Sequence, residues 1–311
     1  MGKNRKRFFR YRAALPAAKS VVFAACVSAW LRPGRPRSAL AAALLAIATL
    51  LTQSASHAER EFRVYLSLEA QADVDLPPDY QVPGEFVVGR LMYPNSYGFR
   101  RFGFGGDWHQ GGTAWAVDYP RADRTFARLL RRLTRINVRS VEQPINLDDG
   151  DDVYDWPFLM VGLPGMWDLT EDQVTKLREY LLRGSFLLCD SFFGTQEWAG
   201  FIDGMQRIFP DRPIIELDDD HPLFHTVYDL TVRTQVPNMN ALLGGVPYRA
   251  DGRVPHWRAI LDDNGRVMVA IAFNNDLGDS WQWADDPEYP QEAASVGMRM
   301  GVNFAVYAMT H

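Results

Sequence analysis

LTEDQVTKLREYLLRGSFLLCDSFFG, residues 169–194, reads as a helix, a tight turn, a buried strand and a polar elbow, and the rest of the chain is organised around it. Thr170 can cap the helix with Gln173 three residues on, Val174, Leu177 and Leu181 share one face, and Gly184 supplies a left-handed stop. Residues 186–188 then form a short, wholly apolar strand. A strand of this kind, fed by a helix, belongs in a parallel sheet covered on both faces, where ligands bind beyond the carboxyl ends of the strands. Cys189, Asp190 and Ser191 stand at that end.

The same alternation continues outward on both sides. Upstream, residues 85–93 (EFVVGRLMY) read as a strand, followed by the glycine-rich aromatic loop YGFRRFGFGGDWHQGG. Residues 120–135 form a helix with an apolar stripe of Ala122, Phe126, Leu129, Leu130 and Leu133, its arginines facing solvent. Strands are expected at 137–141 and 157–163 around the acidic turn Asp148-Asp149-Gly150-Asp151-Asp152. Downstream come a helix at 196–209, a strand at 213–217, and a hairpin of 258–262 with 266–273 turning at Asp263-Asn264-Gly265. A polar loop, 274–281, and a closing helix over 291–309 complete the set. Strands alternating with helices at these spacings argue for one open α/β domain, a mostly parallel sheet with helices on both faces, over residues 85–311.

The amino-terminal part has a different composition. Residues 1–58 hold 10 of the 33 Lys and Arg and none of the 38 Asp and Glu, which leaves 23 basic against 38 acidic side chains in the rest, a net of −15. An apolar run over 39–51 follows Arg32, Arg35 and Arg37 and precedes Ser56-His57-Ala58, the pattern of a secretory signal. Periplasmic export with cleavage after Ala58 is the expectation. The alternative is an uncleaved inner-membrane anchor, for which about 13 residues is short against the roughly 20 that a span needs. Membrane contact is expected only through this segment, and residues 59–84, with no sustained period, read as a linker.

Composition also excludes chemistry. Of two cysteines, Cys26 lies in the leader and Cys189 is alone in the remainder, so no disulfide framework forms. An acidic domain lacks the basic face that nucleic acid needs. Lys176, on the polar side of a helix, is the sole lysine after the leader, which leaves Schiff-base chemistry without a candidate.

Gly105-Gly106-Asp107-Trp108, the strand ending in Cys189-Asp190, Asp220-His221-Pro222-Leu223-Phe224-His225, Asn275-Asp276-Leu277-Gly278-Asp279 and Arg299-Met300-Gly301-Val302-Asn303 together resemble the bacterial DUF4159 family over about residues 85–309. The resemblance implies a flavodoxin-like sheet of the class I glutamine amidotransferase and ThuA-like type, and an envelope partner of the Bat aerotolerance kind. It transfers fold better than function. Matched to the amidotransferases, the nucleophile position falls on Asp190, with Cys189 one residue early and Ser191 one late. A strand residue one place off points to the other face, so Cys189 faces the interior. Gly-x-Ser-x-Gly and its cysteine counterpart are both missing around 191, and Phe192 and Phe193 crowd a sharp elbow. Glutaminase and Ser/Cys-triad hydrolase activities are therefore disfavoured.

Three constellations remain. His221 and His225, four residues apart, can hold a zinc ion with Asp220, or they can cap and satisfy a short turn. Asp107, Asp190, Asp276 and Asp279 lie in loops expected on the carboxyl side of the sheet, where paired carboxylates serve acid/base work or bind a divalent cation, and where Asp beside Gly also organises turns. Trp108, Trp115, Trp167, Trp198, Trp281 and Trp283 fall in or beside loops, as a stacking or partner-anchoring surface or as packed lids. Two functions follow. One is an envelope binding or interaction module with a degenerate amidotransferase-like site and no cofactor. The other is a hydrolase on a carbohydrate or other envelope-derived substrate, with Asp190 and Asp107 as acid/base pair or metal ligands. The hydrolase requires Asp107, Asp190 and a later His or Asp to converge, and the module requires a contiguous exposed aromatic patch.

Overall fold

The computed structural model describes residues 62–69, 72–96 and 106–311. The leader, and residues 97–105 of the glycine-rich loop, lie outside these. Seven strands form one sheet: β1 (Gly89–Met92), β2 (Gln143–Asn146), β3 (Phe158–Gly162), β4 (Phe186–Phe192), β5 (Ile215–Glu216), β6 (His256–Leu261) and β7 (Val267–Phe273). Their order is β2-β1-β3-β4-β7-β6-β5. The first five neighbours pair parallel, and β6 and β5 extend the edge in antiparallel fashion. This is the flavodoxin-like α/β architecture expected.

Among the described residues six α-helices cover it: α1 (Arg121–Leu133), α2 (Glu171–Leu182), α3 (Gly194–Ile208), α4 (Met239–Leu243), α5 (Leu277–Gln282) and α6 (Gln291–Thr310). The two-residue period of β4 divides the core. Leu187 and Cys189 face a cluster with Leu177, Leu181, Phe201 and Met205 from α2 and α3, while Phe186 and Leu188 face Phe126, Trp281, Met300 and Phe304 from α1, α5 and α6. The capping box forms as its spacing predicts. Thr170 Oγ1 accepts from Gln173 N at 3.2 Å and Gln173 Oε1 from Thr170 N at 3.1 Å. Replacing Thr170 with Ala would cost about 1 kcal/mol. Gly184 takes the left-handed stop at φ 103°.

Three local readings are corrected. The strand placed at 137–141 is Gln143–Asn146, with only an isolated bridge between Phe86 and Val138 before it. The polar loop at 274–281 contains α5, a helix whose six residues are all buried, so it shows no polar face and no amphipathic period. Of the linker read at 59–84, the described residues, 62–69 and 72–84, belong to the compact unit Phe62–His311 instead. Leu66 exchanges backbone bonds with Gln110 and Gly112 at 3.1 and 2.7 Å, and Arg124 and Arg131 hold Val74 O and Asp79 Oδ2, each at 2.7 Å. Backbone pairing and arginine contacts fasten this stretch, and neither leaves a hydrophobic period in the sequence.

Candidate functional site

Beyond the carboxyl ends of β4 and β7, four stretches distant in sequence bring acids together. Asp190, on β4, points away from Cys189, and its carboxylate accepts the first two amides of α5, Leu277 N at 3.0 Å and Gly278 N at 2.8 Å. Burial, then the charge of Asp276, pushes its pKa up to about 8 against the pull of those amides. Ser191 sits in the left-handed region at φ 62°, beside a register shift of the β4–β7 ladder, and its hydroxyl donates to Asp276 Oδ2 at 2.9 Å. The backbone thus makes its strained turn one residue after Asp190.

Asp276 caps α5 through Asp279 N at 3.1 Å, and Asp279 Oδ2 accepts from Met239 N at 2.7 Å. The Asn238 amide donates to both, at 3.0 and 2.9 Å, which ties the start of α4 to the start of α5. Asp118 enters from the loop before α1 at φ 59°, where an Asp is better tolerated than most residues. Its amide donates to Glu69 Oε2 at 3.4 Å, so the stretch once read as a linker reaches the site. One oxygen each from Asp118, Asp276 and Asp279 lies within 4.8 Å of the others.

Two buried oxygens here lack a partner. Asp118 Oδ2 accepts no hydrogen bond although the residue is 1 % exposed. Gln282, also 1 % exposed, spends its Nε2 on Glu69 at 3.3 Å and leaves Oε1 unbonded. A Cβ built on Gly278 would stand 2.2 Å from Asp118 Oδ2, so only glycine at 278 leaves that oxygen its place. Burial raises the pKa of Asp118, Asp276, Asp279 and Glu69; for Asp118 and Asp279 a neighbouring carboxylate adds to it. The compensating cations are few. Arg249 bonds Ser191 O and Glu197, and Arg90 is held by Asp123 at 2.8 and 3.1 Å.

Of the residues singled out from sequence, Asp190, Asp276 and Asp279 gather in this region. Asp107 does not. It is exposed and caps the turn Trp108–Gln110, accepting from His109 N at 3.1 Å and pairing with its ring at 2.8 Å. The Asp107–Asp190 acid/base pair is therefore withdrawn. The zinc set fails too. His221 Nδ1 accepts from Leu223 N at 3.2 Å, both ring nitrogens of His225 are taken by Asp229 and Asp219 O at 2.5 and 2.9 Å, and Asp220 is exposed. The aromatic surface is likewise absent among the described residues. Trp115, Trp167 and Trp281 are buried, and Trp108, Trp198 and Trp283 are partly buried. Trp281 stacks on Phe126 at 4.2 Å and donates to Gly297 O. Trp108 keeps a packing role, its carbonyl accepting from Trp115 Nε1 at 2.7 Å.

Glu69, Asp118, Asn238 and Gln282 were not singled out, and Ser191 entered only as the residue one past the nucleophile position. Asp118, between a buried Ala-Trp-Ala-Val and a Tyr-Pro, carries no motif, and a lone Asn or Gln carries none either. The family model described as a domain of unknown function, DUF4159, matches residues 107–309, and the chain belongs to that family. No curated protein matches it.

Proposed function

We propose that this DUF4159 chain is an exported binding or interaction module of the cell envelope, in which an amidotransferase-like elbow has become a structural joint and partner contact is made by a surface other than the aromatic patch first required of it. The observation that carries the reading is the use of Asp190, which the resemblance matches to the amidotransferase nucleophile position, to hold the first two amides of α5. The flanking nucleophiles are spent as well. Cys189 is buried in the α2/α3 core with its thiol pKa pushed up by burial, and the Ser191 hydroxyl is committed to Asp276. Ser191, Asp276 and Asn238 also line up as a hydroxyl, an acid and a group that orients it, the order a serine nucleophile would use, so labelling at Ser191 is the decisive test. Export rests on the basic, apolar and small-residue leader, with a retained inner-membrane anchor as its alternative. The partner class, a Bat-type envelope protein, rests on the family resemblance.

The test combines active-site probes with crosslinking in the envelope. A fluorophosphonate and iodoacetamide are expected to leave the folded chain unlabelled, and Ser191→Ala and Cys189→Ala to keep the wild-type pattern of crosslinked partners. Stoichiometric labelling at Ser191 or Cys189, removed by the matching variant, would overturn the reading. One observation favours the hydrolase instead, the convergence of carboxylates around Asp276. In that case Asp276→Asn abolishes turnover of an envelope-derived glycan while its crosslinks persist.

A further inference from the structure

We propose that Asp118, Asp276 and Asp279 form a binding site for a hard divalent cation of the calcium class, with Gln282 Oε1 and the Glu69 carboxylate adjoining it. Proximity of acids alone would not carry this, since carboxylates cluster for other reasons. The unpaired oxygens do. Asp118 Oδ2 and Gln282 Oε1 are acceptors sealed from water with no donor in the protein, and an acceptor left so is costly unless something positive meets it. The other oxygens are pre-aimed. Asp276 is fixed by Ser191, Asn238 and the α5 amide, and Asp279 by Met239 N, Asn238 and Trp283 Nε1 at 3.0 Å. Such bonds from neutral donors orient a carboxylate without cancelling its charge, as the outer partners of metal ligands do.

The donor set chooses the ion. It consists of carboxylate and amide oxygens with no imidazole or thiolate, which suits calcium, magnesium or manganese over zinc or copper. Magnesium keeps several waters and is seldom held in an all-protein cage, whereas calcium takes about six to eight oxygens in flexible geometry, from carboxylates, carbonyls and water. The buried position of all three aspartates favours calcium. Arg90, whose charge acts on Asp118, gives Nε and Nη2 to Asp123, and its buried Nη1 meets no acceptor, so it does not satisfy Asp118 Oδ2.

The experiment uses the full chain isolated from the envelope fraction, stripped with a chelator and titrated with calcium, magnesium and manganese chlorides at pH 7.5. Calcium at a hundredfold over its Kd is expected to raise the unfolding midpoint by about 5–10 °C, with magnesium several-fold weaker. Asp118→Asn is the informative variant. Its backbone conformation is one that Asn accepts, and the oxygen it alters makes no hydrogen bond, so the variant folds. It should lose calcium affinity by at least tenfold, as should Gly278→Ala, whose methyl falls on Asp118 Oδ2. Asp211→Asn, an exposed acid elsewhere, should leave affinity unchanged. A midpoint that no divalent cation moves, or a calcium affinity equal in Asp118→Asn and wild type, would overturn the site. So would Asp118→Asn stabilising the stripped protein while no cation binds, since the cluster then holds protons.

Discussion

Two polar clusters of this molecule read differently in sequence and behave opposite to their readings. The turn at 218–229 packs Asp, His and Pro within a dozen residues and has the spacing of a metal site, yet each imidazole nitrogen it commits goes to a neighbour within six residues. The acids beyond β4 and β7 are scattered from Glu69 to Asp279 and have no spacing at all, yet they meet in the interior. Local density of polar residues favours local satisfaction, because side chains near in sequence reach one another's backbone at little entropic cost. Groups brought together by tertiary packing leave residual, unpaired capacity. Unspent acceptors therefore lie in the second region, and variants test the difference.

Asp190→Ala should have the largest effect. It removes two bonds from buried amides to a carboxylate and strands both donors at the start of α5. A loss of about 3–5 kcal/mol is expected in urea unfolding, with Asp190→Asn, which keeps one acceptor oxygen, losing less. A cost near that of a surface substitution would mean that the joint does not hold α5.

Next in size is the response to pH. Asp190 has its pKa raised from 3.8 to about 8, so the folded state keeps a proton that the unfolded state releases between those values. Its contribution is therefore fully present below about 4 and is lost as pH rises through about 8, with a slope approaching 1.4 kcal/mol per pH unit within the window. Stripped protein should melt higher at pH 5.5 than at pH 8, a difference to which Asp118, Asp276, Asp279 and Glu69 add with the same sign, and Asp190→Asn should reduce it. Asp211, held down to about 2 by Arg178, has the opposite sign but acts only between about 2 and 3.8, so the two do not overlap. Equal midpoints at pH 5.5 and 8 would place Asp190 with the surface acids.

Much of the fold is legible in the residues, and less of the site. Val174, Leu177 and Leu181 mark α2 because an apolar stripe packs on the core, and Gly184 marks its end because left-handed backbone favours glycine. α5 escapes notice because burial on all sides erases the stripe, and residues 62–84 escape because backbone pairing has no side-chain period. Asp190, Asp276 and Asp279 stand out as acids at strand ends. Asp118 and Glu69 do not, since what gathers them is the placement of their loops over the ends of strands distant in sequence. Asp107 and the tryptophans mislead for a related reason. A polar residue beside glycine caps a turn as readily as it meets a ligand, and an indole in a loop can fold inward.

The smallest expected effect comes from the histidine turn. Burial lowers the pKa of His221 from 6.5, whereas the Asp219 carbonyl and then the Asp229 carboxylate raise that of His225. The two ring-proton titrations followed by NMR should therefore separate to either side of 6.5. His225 adds stability that is fully present below 6.5 and is lost as pH rises through its raised pKa, but the group is exposed and screened. His225→Ala should leave the unfolding midpoint within the scatter of the measurement. Zinc should move neither titration curve, because binding one ion to both rings would require His225 to give up Asp229 and Asp219 and His221 to give up the amide it caps. Curves that shifted together on adding zinc would restore the turn as a metal site and remove the contrast with the buried acids.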